Sequence, residues 1–359
     1  MIRGFSPLRR RPRTIGSGGS IQASRIIGTV IAVPIALIVV ATFPPAQQFF
    51  LPPPDTIAEL IDVSRSRPAP SEPVRLEVEY DRELLRRYTL DIYGPLPNPT
   101  DTGRERSAGS NHTISSEGAR SASFEDRPVL SAPAPVIVFF HGGSWLRGDK
   151  VTILIVDRFL RRMRERGWFV VSVNYTTSFL RGLGGPVKQA EEALRWVRKN
   201  GAVYGWDPTR IGVYGVSAGG HVGLLAAERI IDDNPRDRFA FIFAECAPTD
   251  LVAMRDGDAF GNSGSFRVFP ERRLRALSPI RYVSPQTPPV LLFHGDEDEM
   301  VHIDQSIRYA AALEAAGGEV ELVLWPGGDH AFLNLSDEEW YIQETVALDW
   351  FSAQFESNR

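Results

Sequence analysis

The stretch that decides the fold of this chain is Val213-Tyr214-Gly215-Val216-Ser217-Ala218-Gly219-Gly220. It begins as a β-prone run, passes through the pattern Gly-x-Ser-x-Gly and continues into residues that favour a helix. Gly215 and Gly219 lack the Cβ atoms that would collide in a tight strand-to-helix turn. The pattern predicts a strained turn that points the hydroxyl of Ser217 outward. A short Gly/Ser pattern also occurs in ordinary turns, so the interpretation depends on what the rest of the chain supplies.

An upstream loop supplies the main-chain N–H donors that an attacking serine needs for the oxygen anion of its intermediate. Residues 136–140 form an apolar run that predicts a buried strand, and this run ends in His141-Gly142-Gly143-Ser144-Trp145. Glycines at this place let the main chain approach a bound oxygen closely. The sequence therefore predicts a loop of N–H donors that serves Ser217.

Two downstream loops supply a histidine and a carboxylate, which a reactive serine needs as its base and as the group that orients the base. Residues 290–293 predict a short apolar strand that runs into an acidic turn with Asp296 and Asp298. Residues 320–325 predict the last strand, and the loop after it presents His330. We interpret His330 as the base, and either aspartate has a suitable place for the acid.

The order Ser217, Asp298, His330 along the chain is the one that α/β-hydrolases use. Together with the His-Gly-Gly loop, this order makes residues 75–355 resemble the α/β-hydrolase esterases. The resemblance is closest to the hormone-sensitive-lipase-like carboxylesterases, the feruloyl and acetyl-xylan esterases and the related formamidases. It implies an α/β-hydrolase fold, in which a mostly parallel eight-stranded sheet is flanked by helices.

The same resemblance implies roles for individual residues. It places the triad acid at Asp298 and leaves Asp296 as a neighbour that caps the loop. It also implies an oxyanion hole built from main-chain N–H groups, namely those of Gly142, Gly143, Ser144 and Ala218. The chain departs from the family pattern at Val216, where many members carry aspartate, and at Ser144, where many carry a third glycine. Neither change removes a catalytic group, although both reshape the surroundings of the serine.

The remaining histidines and the single cysteine are weaker candidates. His302 is a rival for the base, but it lies too near Asp298 in sequence for the usual order. His221 and His294 stand beside motif glycines and are expected to hydrogen-bond locally. Cys246 is predicted to be a buried strand residue, not a nucleophile. The chain has no His-Glu-x-x-His motif and one cysteine cannot build a thiolate cage, so neither a metal nor a cofactor is predicted.

The composition is that of an enzyme-sized globular domain. The 359 residues are 43% hydrophobic, which is enough for a sizeable core, and the net charge is −4. The arginines in the body of the chain are scattered among carboxylates, so nucleic acid is not expected as a partner. The sequence gives no indication of the oligomeric state.

The first residues differ from the rest of the chain in charge and hydropathy. Six arginines within residues 1–25 precede an uncharged apolar stretch at residues 26–43. This pattern predicts a basic cytoplasmic tail and a transmembrane signal anchor, with the following domain outside the cytoplasm. A secreted protein whose signal is cleaved is the alternative. Residues 44–73 are predicted to be a linker.

Residues 74–359 are predicted to form one catalytic domain. Residues 74–80 and 87–93 predict an antiparallel hairpin, and residues 97–135 predict a disordered insertion rich in Ser, Gly, Arg and Pro. After the insertion, apolar strands alternate with helical segments, which indicates βαβ units and a parallel sheet. Residues 250–284 lie between two predicted strands and are the candidate cap over the site.

Taken together, these features predict a serine carboxylic-ester hydrolase that works through an acyl-enzyme. The expected substrates are esters of small molecules, lipids or acylated glycans, and membrane contact is expected through the N-terminal segment. Two alternatives stay open. One is an amidase or formamidase with the same triad, because Gly-x-Ser-x-Gly does not encode the leaving group. The other is a hydrolase-fold binding protein in which the site is catalytically silent.

Overall fold

The computed structural model describes residues 75–83, 86–96, 132–146, 148–175, 183–256 and 269–358. The predicted tail, membrane segment and linker, and residues 97–131 of the predicted insertion, lie outside the described residues. In the part of the chain that is described, no helix has both the length and the apolar character needed to cross a membrane. The membrane segment therefore stays a prediction from the sequence.

Eight strands form one sheet within the described residues. Their bounds are β1 Arg75–Glu83, β2 Arg86–Tyr93, β3 Ala134–Phe140, β4 Phe169–Val173, β5 Trp206–Val216, β6 Phe241–Glu245, β7 Val290–Gly295 and β8 Val320–Trp325. In space they follow the order β1-β2-β4-β3-β5-β6-β7-β8. The β1–β2 and β2–β4 pairs are antiparallel, and all other pairs are parallel. The predicted opening hairpin and the mostly parallel eight-stranded sheet are confirmed.

Helices cover both faces of the sheet. Among the described residues, the α-helices are α1 Asp157–Glu165, α2 Gly184–Tyr204, α3 Ala218–Asp233, α4 Leu251–Asp256, α5 Glu271–Ala276, α6 Asp304–Ala315 and α7 Asp337–Ser357. Successive side chains of a strand point to opposite faces, so Val136 and Val138 of β3 join one hydrophobic cluster and Ile137 and Phe139 join another. Helices α2, α3 and α6 pack into the first cluster, and α1 and α7 pack into the second.

The parallel strands determine where the candidate residues meet. The carboxyl ends of parallel strands share one edge of a sheet, which is where α/β proteins bind their ligands. The turn of Ser217 follows β5, and the loop of residues 141–148, which we call the oxyanion loop, follows β3. The turn of residues 296–301, which we call the acid turn, follows β7, and His330 follows β8. All four segments singled out in the sequence therefore reach the same edge.

The predicted insertion and the candidate cap have bounds that the structure changes or describes only in part. The insertion predicted to extend to residue 135 ends earlier, because Ala134 already pairs with Trp206 and opens β3. The candidate cap at residues 250–284 is described only in part, since residues 257–268 lie outside the described residues. Its described residues form α4, α5 and a 3₁₀ helix at Pro279–Arg281. Both ends of the segment are anchored in the core, through side chains that join the cluster of α3: Leu251, Met254, Leu274 and Leu277.

Candidate active site

Ser217 stands alone between β5 and α3 in a strained backbone conformation. Its φ is 55° and its ψ is −122°, a combination that non-glycine residues seldom adopt. Its N–H donates to the carbonyl oxygen of Glu245 at the end of β6 over 2.8 Å, and its carbonyl oxygen accepts from the N–H of His221 over 3.1 Å. These main-chain bonds hold the strained residue in place. The sequence prediction of a strained turn at Ser217 is confirmed.

The glycines around Ser217 are required by close main-chain packing. A Cβ atom on Gly219 would lie 2.1 Å from the carbonyl oxygen of Phe140 and 2.4 Å from that of His141. A Cβ atom on Gly215 would lie 2.4 Å from the carbonyl oxygen of Gly219. The end of β3 therefore touches the first turn of α3, an approach that only glycine permits. This contact fixes where the oxyanion loop begins relative to Ser217.

Gly219→Ala is expected to lower the free energy of unfolding by about 3 kcal/mol, because the added methyl group overlaps the carbonyl oxygens of Phe140, at the end of β3, and of His141, at the start of the oxyanion loop. Gly317→Ala is the matched control. Gly317 has a φ of 82° and open space where its Cβ would lie, so this variant should lose only the cost of left-handed backbone, about 1–2 kcal/mol. Urea unfolding measures both values. Equal losses in the two variants would show that the contact at Gly219 is not tight.

The structure brings Ser217, His330 and Asp298 into one chain of hydrogen bonds. The Nε2 atom of His330 lies 2.9 Å from the Oγ of Ser217, and its Nδ1 lies 2.8 Å from the Oδ2 of Asp298. The other carboxylate oxygen of Asp298 accepts from the N–H groups of Met300 and Val301, each over 2.8 Å. A carboxylate can only accept, so Nδ1 carries the hydrogen and Nε2 is left to accept a proton from the serine.

The surroundings keep the carboxylate of Asp298 ionised and favour the imidazolium that forms when His330 takes a proton. Burial by itself would raise the pKa of Asp298, but hydrogen bonds from His294 and His330 outweigh it and hold that pKa well below its usual range. Burial by itself would lower the pKa of His330, but the hydrogen bond and the charge of the Asp298 carboxylate raise that pKa above its usual value. The carboxylate is therefore ionised at neutral pH and stabilises a protonated imidazole beside it.

The rival candidates lie elsewhere. The carboxylate of Asp296 is exposed and accepts from the N–H of Gly327 over 2.6 Å, so it braces the neighbouring loop as predicted. His302 is exposed as well, and its Nδ1 lies 3.5 Å from the carboxylate of Asp304. The geometry thus brings Asp298 to His330 and leaves Asp296 and His302 outside the chain of hydrogen bonds.

The oxyanion loop passes directly beside the serine. A Cβ atom on Gly142 would lie 3.6 Å from the Cβ of Ser217. Gly143 and Ser144 continue the loop with φ values of 124° and 54°. Ala218 is the first residue of α3, so its N–H has no carbonyl partner within the helix. These are the four residues whose N–H groups the family resemblance implies for the oxyanion hole, and which of the loop N–H groups point inward stays open.

His141 braces the start of this loop. It is fully buried, its ring stacks on that of Tyr175 with centroids 4.2 Å apart, and the hydroxyl of Tyr175 donates to its carbonyl oxygen. Its Nδ1 lies 2.7 Å from the carbonyl oxygen of Gly142 and donates to it. Burial lowers the pKa of His141 to about 4, so the ring is neutral and serves the loop as a brace.

Two contacts of the site are not evident from the sequence. The Nε2 of His294 lies 3.3 Å from the Oδ2 of Asp298 and 2.7 Å from the carbonyl oxygen of Val301, so this histidine holds the acid turn. Cys246, one residue beyond β6, is fully buried with a φ of 41° and lies beside His330. The only signal in the sequence is that each residue stands at the carboxyl end of a central strand.

The side chains of Cys246, Asp298 and His330 form a group that could hold a metal ion, since one ligand atom from each lies within 4.8 Å of the others. Sulfur, nitrogen and oxygen ligands of this kind suit zinc. Asp298 and His330 already bond to each other, and burial raises the pKa of the Cys246 thiol, which disfavours the thiolate that a metal needs. We therefore assign no resident metal to this group.

The fold and the arrangement at the ends of its strands define an α/β-hydrolase of the esterase type. Residues 127–313, more than half of the chain, match the BD-FAE family, and the chain belongs to that family. The resemblance drawn from the sequence motifs is thereby confirmed.

Curated relatives that the chain matches are named as esterases. Esterase LipQ of Mycobacterium tuberculosis is 31% identical over 217 residues, which are 55% of this chain and 50% of LipQ. The isoprenylcysteine alpha-carbonyl methylesterase ICME of Arabidopsis thaliana is 28% identical over 225 residues, 56% of this chain and 52% of the relative. The chain thus spans about half the length of the curated relatives it matches.

Two solved structures have the same fold. A truncated carbohydrate esterase from gut microbiota superposes with a TM-score of 0.59 at 19% identity, covering 79% of this chain and 96% of that one. The apo form of Thermogutta terrifontis esterase 2 gives 0.58 at 22% identity, covering 79% and 95%. At these identities the likeness concerns the fold alone.

Proposed function

We propose that this protein is a serine carboxylic-ester hydrolase that works through an acyl-enzyme. The observation that carries the proposal is the unbroken chain of hydrogen bonds from Ser217 through His330 to Asp298, at the edge where parallel strands end. The match to the BD-FAE family and the relatives named as esterases support it. The strained backbone at Ser217 adds support, because residues held in such conformations cost stability and cluster at active sites.

The chemistry follows from the atoms that are brought together. As the Oγ of Ser217 attacks an ester carbonyl, its proton moves to the Nε2 of His330, and Asp298 stabilises the imidazolium. The N–H groups of the oxyanion loop and Ala218 face the developing oxygen anion. The imidazolium then gives its proton to the leaving alcohol, and an acyl-enzyme remains. Water attacks the acyl group by the same route, releases the acid and restores Ser217.

The test is hydrolysis of p-nitrophenyl esters of increasing acyl length, from acetate to palmitate, by the full chain. We expect turnover that an alkyl fluorophosphonate stops, with the inhibitor recovered by mass spectrometry on the peptide that contains Ser217. Matched amides and formamides are measured beside the esters, because the geometry does not distinguish the two leaving groups. Faster turnover of the amide would favour the amidase alternative, and labelling of another residue would overturn the proposal.

The substrate class is proposed as esters of small molecules, lipids or acylated glycans. The plant relatives are named for methyl esters of isoprenylcysteine, and the gut structure is named a carbohydrate esterase. The first panel should therefore include an acetylated sugar and a carboxyl methyl ester of a prenylated cysteine. A higher kcat/KM for the acetylated sugar would indicate a site for a large alcohol group. A higher kcat/KM for the methyl ester would indicate a site for a large acyl group.

We further propose that residues 26–43 anchor the protein in a membrane, with the hydrolase domain outside the cytoplasm. The support is the basic stretch followed by the uncharged apolar stretch in the sequence. Val33→Arg combined with Leu37→Arg should move the protein from the membrane fraction to the soluble fraction, because charges at the centre of a span are costly. Gln47→Arg, outside the stretch, is the control. Soluble recovery of the unaltered chain would contradict the anchor.

A further inference from the structure

A second histidine connects the oxyanion loop to the helix of the serine. The indole Nε1 of Trp145 donates to the Nδ1 of His221 over 3.0 Å, and the two rings meet edge to face with centroids 5.3 Å apart. Trp145 is 4% exposed and His221 is fully buried. His221 lies in the first turn of α3, where its main-chain N–H bonds to the carbonyl oxygen of Ser217.

The other ring nitrogen of His221 reaches the base of the candidate cap. Its Nε2 lies 2.8 Å from the carbonyl oxygen of Leu277, the residue that follows α5. An indole N–H can only donate, so Nδ1 accepts and Nε2 carries the hydrogen that the Leu277 carbonyl receives. Burial lowers the pKa of His221 to about 4, so the ring keeps this neutral form at neutral pH. Both nitrogens of the ring are therefore used, each in a fixed role.

The oxyanion loop needs such a connection because its backbone is strained. Gly143, Ser144 and Trp145 all have positive φ values, and two of the three are not glycine. Each non-glycine residue in the left-handed region costs about 1–2 kcal/mol, so the loop would relax if its side chains were not held. Trp145 is the only one of the three with a side chain buried in the core of the described chain, and its polar atom bonds to His221.

We propose that His221 is a positioning residue for the ester hydrolysis: through Trp145 it holds the oxyanion loop at the distance from Ser217 that the transition state requires. The inference rests on the proposed function. A positioning role for His221 predicts a loss of kcat, which a purely structural role does not. A loop displaced by a fraction of an ångström weakens the hydrogen bond to the oxygen anion of the transition state and leaves ground-state binding of the substrate nearly intact.

Two amide substitutions test the hydrogen bonds of the two ring nitrogens of His221 one at a time. In His221→Asn the side-chain oxygen takes the place of Nδ1 and can still accept from Trp145. In His221→Gln the side-chain nitrogen takes the place of Nε2 and can still donate to the carbonyl of Leu277, while the bond to Trp145 is lost. Trp145→Phe removes the same bond from the other side and keeps an aromatic ring.

We expect kcat to fall by about 10- to 100-fold in His221→Gln and in Trp145→Phe, with KM changed by less than about threefold. Affinity for a trifluoromethyl ketone, which mimics the tetrahedral intermediate, should fall by the same factor as kcat. His221→Asn should keep most of the turnover and the affinity for the ketone. Thermal unfolding is measured for every variant, and Trp145→Phe supplies the answer if His221→Gln does not fold.

The activity of the unaltered chain separates a failure of the proposed function from a failure of the role of His221. If the unaltered chain hydrolyses no ester, both the proposed function and the role of His221 are wrong. If the unaltered chain is active while His221→Gln and Trp145→Phe keep its kcat within about twofold, only the role of His221 is wrong. Loss of turnover in His221→Asn as deep as in His221→Gln would also overturn it, because the bond to Trp145 would then not be the cause.

Discussion

Ser217→Ala is expected to lower kcat for ester hydrolysis by a factor on the order of 10⁴ or more, with the fold intact. The substitution removes the only oxygen that lies within hydrogen-bond distance of the Nε2 of His330 among the described residues. What remains is the catalysis that an oxyanion hole and substrate binding give without a nucleophile, about 10³- to 10⁴-fold over water. Initial rates on p-nitrophenyl butyrate measure the loss.

Stability should move little in this variant, because the bonds that hold residue 217 to the sheet and to α3 come from its main chain and are kept. Ser352→Ala is the matched control. The hydroxyl of Ser352 donates to the carbonyl oxygen of Leu348 within α7, a helix that carries none of the candidate site residues, and its loss should leave kcat unchanged. Turnover above about one hundredth of the normal rate in Ser217→Ala would show that another nucleophile does the chemistry.

The strands and the order of the candidate residues could be predicted because each depends on local signals. An apolar run of four or five residues followed by His-Gly marks the end of a buried parallel strand, as after Phe140 and after Phe293. The Gly-x-Ser-x-Gly pattern carries its own geometry, since the close approaches at Gly215 and Gly219 tolerate no side chain. Once these strands are parallel, their ends must meet at one edge.

Contacts between distant segments could not be predicted, because they depend on how the strands are ordered in space. Cys246 and His330 are 84 residues apart (330 minus 246), and they meet because β6, β7 and β8 are neighbours in the sheet. Trp145 and His221 are 76 residues apart, and they meet because β3 lies beside β5. No pattern within either segment carries this information.

The sequence also could not decide by spacing which of Asp296 and Asp298 bonds to His330. Both follow β7 within a few residues, and spacing alone left either suitable for the acid. The structure separates them by burial: Asp298 is 4% exposed and turned inward to two histidines, whereas Asp296 is exposed and bonds to the loop after β8. The bonds from Met300 and Val301 turn the carboxylate of Asp298 inward, and only the folded turn reveals them.

Asp298→Asn is expected to lower kcat by a factor on the order of 10⁴, nearly as much as the loss of the nucleophile. The N–H groups of Met300 and Val301 fix which side of the asparagine is oxygen, because they need an acceptor where Oδ1 now stands. The amide nitrogen must then face the Nδ1 of His330, which lies 2.8 Å from the present Oδ2. Nδ1 becomes an acceptor, the hydrogen moves to Nε2, and His330 can no longer take the proton of Ser217.

The pH dependence provides the second measurement. In the unaltered protein the pKa of His330 is raised, so kcat/KM should increase with pH as the imidazole loses its proton, with a midpoint above the usual 6.5. Asp298→Asn removes the carboxylate charge that raises this pKa, so the residual activity should reach its plateau at lower pH. Asp296→Asn is the matched control, because its carboxylate touches neither histidine, and both its rate and its pH profile should stay normal. If Asp296→Asn lost the activity and Asp298→Asn kept it, the roles of the two aspartates would be reversed.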